Sequence, residues 1–125
     1  MPSSPLLTTD DLDELGATAF DTDDPLAVAA DLVDAVERGR VADKANIGYA
    51  LILAAEITER AEDLDGALVL ADRAVAAYRV HGDGEYGYPR SVRAGLLLRL
   101  GQEDEGLAEL ARPNIVRLSI LIRLT

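Results

Sequence analysis

The chain has 125 residues, with 23 acidic and 12 basic side chains and a net charge of −11, and this length suits one compact domain. It contains no Cys and one His, which excludes a disulfide scaffold, a thiolate metal site and a polyhistidine metal site. Only 4% of the residues are aromatic, a composition that favours packed helices over a β-sandwich. The sequence predicts an all-α protein that needs no metal or cofactor.

The charge is concentrated at the start of the chain. Residues 1–37 contain ten acidic and no basic side chains. Such a segment repels phosphates, so we expect neither nucleic acid nor a membrane as partner. No apolar run is long enough to span a bilayer, and residues 1–15 lack the basic and apolar regions of a signal peptide, so the expected location is cytoplasmic. We interpret 1–23 as an acidic leader with a short helix, 24–112 as the folded domain and 113–125 as an apolar tail.

Capping residues and helix-ending residues divide the chain into short helices. Gly16 is expected to end the first helix in the left-handed conformation. Asp24 before Pro25, with Gly39 after the last turn, is the strongest pair of boundaries, because a carboxylate cap, a proline at the first position and a glycine stop agree. The helices predicted in this way are 10–15, 25–38, 44–61, 65–80, 89–100 and 103–111.

Apolar residues recur at helical spacing within these segments. The clearest series is in the fourth predicted helix. Its members are Ala67, Leu68, Ala71, Ala74, Val75 and Tyr78. In the second predicted helix the corresponding stripe is Leu26, Ala29, Ala30, Val33 and Val36, widened by Val28 and Leu32. Gly48 either weakens the third helix or allows a neighbour to approach closely. Val75 and Leu97 are expected in the core.

Two segments carry small residues where the helices of a hairpin would cross. In 53–79 these positions are Ala54, Ala67 and Ala74, beside Leu53 and Ile57. This segment resembles a tetratricopeptide repeat. A poorer copy covers 92–110, where the corresponding positions are Ala94, Leu97, Gly101, Gly106 and Leu110. The resemblance implies antiparallel helical hairpins stacked as a short α–α superhelix, acting as a non-enzymatic module that binds a peptide or protein on its concave face.

The match to this family is incomplete. No Trp occurs, Ala71 replaces a bulky position, and 39 residues separate Ala67 from Gly106 where the family usually has 34. A non-repeat helical bundle therefore remains the alternative fold.

The segment 81–88 contains His81, Asp83, Glu85, Tyr86 and Tyr88, which together supply the groups of acid–base catalysis. The alternative function is therefore a small enzyme or ligand-binding regulator that uses this segment. No nucleophile motif or phosphate-binding glycine loop accompanies these residues, so a plain connection between two hairpins is also compatible with them.

The predicted partner-binding residues are Arg90, Arg93, Tyr86 and Tyr88. Arg90 and Arg93 lie one turn apart, where two guanidinium groups could bind the carboxylates of an acidic peptide. Tyr and Arg are enriched at protein interfaces. The alternative is that these arginines pair with a Glu of a neighbouring helix.

The tail 113–125 alternates apolar with polar residues, which is the period of a strand in an otherwise helical chain. It is a candidate for covering the open end of the helical array or for self-association. A change of coding frame near Arg112 is the other hypothesis for it.

Overall fold

The computed structural model describes residues 6–81 and 87–111, and within them the protein is all-α, as predicted. Six helices form this part of the chain. They are α1 (Thr9–Thr18), α2 (Pro25–Glu37), α3 (Ile47–Arg60), α4 (Leu64–His81), α5 (Gly87–Arg99) and α6 (Glu103–Ala111). The predictions for Tyr86 and for the tail 113–125 lie outside the described residues. No helix in the described ranges is long and apolar enough to span a membrane.

Several predicted helix boundaries are confirmed. Asp24 caps α2, where its Oδ1 accepts a hydrogen bond from the backbone N–H of Ala27 at 3.2 Å, and Pro25 is the first helical residue. Gly39 follows α2 with φ at +69°, and Gly101 follows α5 with φ at +80°. In this left-handed region glycine has no steric cost, so both residues end their helices, as predicted for Gly39.

The expectation for Gly16 is wrong. Helix α1 continues through Gly16 to Thr18, and a 3₁₀ turn at Ala19–Asp21 follows it. A Cβ on Gly16 would lie 2.9 Å from Cδ2 of Leu53 on α3. Glycine therefore serves here to let α1 approach α3 closely, and it does not stop the helix.

The helices contact one another mainly in chain order, from α2 through to α6. In addition, α1 and α5 both touch α3, so α3 has neighbours on several sides. This position explains why most of its side chains are buried, including Ala50, Leu51 and Ile52. Two apolar clusters form the core, and α3 contributes to both of them.

The predicted core face of α4 is largely confirmed. Ala67, Ala71, Ala74 and Tyr78 are buried, and the expected core residue Leu97 on α5 is 1% exposed. Val75 is only half-buried, because it lies toward the edge of α4 beside Arg79 and Arg90.

The predicted face of α2 is shifted. The helix buries Ala29, Leu32 and Ala35, whereas Leu26 is 44% exposed and Ala30 is also exposed. The apolar stripe of α2 is wider than the surface that α3 can cover. Part of it therefore remains accessible to solvent.

Candidate functional site

Arg90 and Arg93 lie on the side of α5 that faces α4 and α6. Arg90 is 6% exposed, and its Nε donates to Oε1 of Glu109 at 2.8 Å. Arg93 donates from Nη1 to Oε2 of the same carboxylate at 2.6 Å and from Nε to Asp72 on α4. The arginines thus pair with acidic groups of neighbouring helices, which was the alternative interpretation of their spacing. Their predicted role in binding a partner stays a prediction.

Tyr88 lies on a different side of α5, toward α3. Its hydroxyl donates to Oε1 of Glu56, and the ring packs against the core cluster that α3, α4 and α5 share. Burial, followed by this hydrogen bond and the charge of Glu56, raises the pKa of Tyr88 well above its ordinary value. The structure therefore does not bring Tyr88 together with the two arginines.

Helices α1, α3 and α5 are linked by polar contacts. Tyr49 on α3 donates to Asp13 on α1, and Arg99 on α5 donates from Nη1 to Oε2 of Glu59 at 2.8 Å. The guanidinium of Arg60 lies 4.4 Å from the ring centroid of Phe20. These side chains bind one another, so they stabilise the arrangement of the three helices.

An open groove of about 600 Å³ lies between α2 and α4, and we call it the α2–α4 groove. Thr58 at the end of α3 and Gly66 on α4 also line it. Its apolar surface is formed by Leu26, Ala29, Ala30, Val33 and Leu70. Four carboxylates surround this surface, those of Asp31, Asp34, Glu37 and Asp63.

Our sequence interpretation missed this groove, although a signal for it was present. The apolar positions of α2 span more than one face of a helix, since Leu26 and Ala30 lie outside the face defined by Leu32 and Ala35. An apolar stripe wider than one packing partner predicts a second contact surface. What the sequence pattern did not indicate is that α4 leaves this second surface open.

Within residues 6–81 and 87–111, no group of three or more acidic or His side chains is placed to hold a metal ion. A comparison with known proteins found no matching family model, no matching curated protein and no matching solved structure.

Proposed function

We propose that this chain is a non-enzymatic protein-interaction module built from helical hairpins of the tetratricopeptide type. The observation that carries the proposal is the α2–α4 groove. Its apolar surface is accessible to solvent, and Leu26 on that surface is 44% exposed. Exposed apolar surface bordered by charged residues is typical of protein-binding sites.

Two features support the tetratricopeptide part of the proposal. Small buried residues lie where the helices cross in two hairpins, α3–α4 and α5–α6. They include Ala67 and Ala74 in α4, and Gly106 in α6, where a Cβ would lie 2.9 Å from Cδ2 of Leu98. Second, α3 contacts α5, as the first helices of two stacked hairpins do.

The concave face of such an array would be formed by α1, α3 and α5. In this chain several side chains of that face already bind one another, as Tyr49 binds Asp13 and Tyr88 binds Glu56. The α2–α4 groove, in contrast, is lined by apolar side chains of α2 and α4, and Leu26 among them is 44% exposed. We therefore assign the partner to the groove, and binding on the concave face is the competing arrangement.

Site-specific photo-crosslinking in the source cell tests the module proposal. A photoreactive amino acid is placed at Leu26 in the groove, at Ala17 on the face of α1 that carries Asp13, or at Leu107 on α6 as a control, since Leu107 is also half-exposed. We expect a discrete protein adduct from position 26 and none from position 107. Adducts from position 17 alone would support a module that binds on its concave face. An absence of adducts at all three positions would overturn the proposal and favour the alternative of an enzyme or regulator that uses 81–88.

A further inference from the structure

The surface of the α2–α4 groove is apolar along much of one helix. Leu26, Ala30 and Val33 recur at the spacing of one face of α2, and Leu70 faces them from α4. Helix α2 has 13 residues, so the groove is at most ~20 Å long, which is enough for three to four turns of a bound helix. These dimensions suit a short segment of another polypeptide.

The rim of the groove is acidic. Asp34 is paired with Arg38 at 2.8 Å, but its contact with Arg40 is 3.7 Å and that between Glu37 and Arg73 is 3.6 Å. The two latter distances are longer than a normal hydrogen bond, so the carboxylates of Asp34 and Glu37 can still accept a shorter hydrogen bond from another cation.

The charge of the wider surface adds to this rim. Among residues 6–81 and 87–111, Asp31 forms no ion pair, and α2 lies in the part of the chain that carries ten acidic and no basic residues before position 38. A cationic partner would be attracted to this side of the molecule, and an anionic one repelled.

We propose that the α2–α4 groove binds an amphipathic segment of a partner protein in which aliphatic side chains are flanked by Lys or Arg. This inference rests on the proposed function and adds the chemistry of the partner. The aliphatic side chains pack against Leu26, Val33 and Leu70, and the basic side chains pair with Asp31 and Glu37 at the rim. The partner is thus opposite in charge to the acidic peptide that Arg90 and Arg93 would select.

The test uses the full chain and three fluorescent synthetic 14-residue peptides with an amphipathic helical pattern. The first contains Leu and Arg, the second has Glu at each Arg, and the third has Ser at each Leu. Fluorescence anisotropy at two salt concentrations measures their affinities. We expect only the Leu/Arg peptide to bind, and to bind more weakly at high salt, because salt screens the contacts at the rim.

Matched variants separate the groove from general attraction to an acidic protein. Leu26→Gln should weaken binding about tenfold, the effect of losing one buried leucine contact, whereas Leu107→Gln should leave it unchanged. Asp31→Asn should weaken it about two- to fivefold and reduce its salt dependence, whereas Asp10→Asn, an exposed acid on α1, should not. Circular dichroism and melting temperature confirm that each variant is folded.

Equal effects of Leu26→Gln and Leu107→Gln would overturn the inference, as would equal binding of the Leu/Arg and Ser/Arg peptides. The chain's own residues 112–125 contain three Arg and no acid. If they occupied the groove, the Arg117→Ser/Arg123→Ser variant would bind the peptide more tightly, and this result would also overturn the inference of a separate partner. The crosslinking experiment detects a partner whatever its charge, so failure of this inference can be distinguished from failure of the module proposal.

Discussion

Two glycines within helices have opposite roles at the scale of single residues. A Cβ on Gly48 in α3 would lie 2.6 Å from Cε2 of Tyr78, whose side chain is 5% exposed and has little room to move. Within residues 6–81 and 87–111, a Cβ on Gly95 in α5 would meet no atom within 4 Å other than those of its chain neighbours and of the backbone of its own helix. Gly48→Ala should therefore lower the free energy of unfolding by about 1–3 kcal/mol through overpacking. Gly95→Ala should raise it by up to ~1 kcal/mol, because alanine favours the helix.

Urea unfolding monitored by circular dichroism measures both changes. Each variant is the control for the other, since both replace a helical glycine with alanine. If Gly48→Ala were as stabilising as Gly95→Ala, the close packing of Tyr78 on α3 would be refuted.

The free energy of unfolding should depend on pH in the alkaline range because of the Tyr49 hydroxyl. The pKa of Tyr49 is raised from 10.0 to about 12, mainly by burial and then by the hydrogen bond to Asp13. Because its pKa is higher in the folded state, the folded protein keeps this proton at pH values where the unfolded chain loses it. The resulting stabilisation is fully present below pH 10 and is lost as the pH rises through about 12.

The Tyr49→Phe variant checks this pH dependence. Its free energy of unfolding should fall less steeply than that of the parent between pH 10 and pH 12. Unfolding curves collected at intervals across this range, with pH 7–9 as the internal reference, give the two slopes. Parallel slopes would show that the proton of Tyr49 does not contribute.

At the scale of elements, α6 depends on ionic contacts. It has nine residues and buries only Gly106 and Glu109, while Leu107 and Leu110 are each 50% exposed. Glu109 compensates the buried charge of Arg90 and also binds Arg93. Glu109→Gln keeps the size of the side chain but removes its charge, and it should cost about 3 kcal/mol of stability.

Hydrogen exchange locates the effect of Glu109→Gln. Amides of α6 should exchange faster in this variant, because α6 loses its main attachment to α5. Leu107→Ala on the exposed face of the same helix is the control and should cost less than ~1 kcal/mol. Similar losses in the two variants would contradict an ionic attachment of α6.

The elements also show how far the sequence alone could predict this structure. Asp24, Pro25 and Gly39 act through their own backbone and nearest neighbours, so they located α2 correctly. The same local rules predict a helix end at Gly16, but its role is set by close packing against Leu53, which is distant in the sequence. The exposed part of α2 depends on where α4 lies. Features set by such distant packing, the groove among them, could not be predicted from local patterns.

Arg90 and Arg93 illustrate the same limit at the candidate site. Their spacing on one helix predicts a pair of cations on one side, and this geometry is correct. The anion that they bind can be identified only when it is known that α6 places Glu109 beside them. The helical pattern of the sequence gives no distance between α5 and α6.

At the scale of the whole molecule, α3 joins two core clusters into one unit. Ala50, Ala54 and Ile57 belong to the cluster with α1 and α2, whereas Leu51, Ile52 and Ala55 belong to the cluster with α4 and α5. In arrays where each repeat contacts only its neighbours, distant parts can unfold separately. A helix that contributes to both clusters opposes this, because unfolding of either cluster exposes apolar side chains of α3.

Leu32 and Leu96, both 0% exposed, lie in the first and second cluster respectively, and each tests this coupling. Leu32→Ala and Leu96→Ala should each lower the free energy of unfolding by about 2–5 kcal/mol. Each should also accelerate amide exchange in both clusters, because one cooperative unit distributes the loss over all its helices. Leu26→Ala, a change of the same kind at a half-exposed position, should have a smaller effect. If Leu96→Ala accelerated exchange only in α4, α5 and α6, the two clusters would unfold independently, and α3 would not couple them.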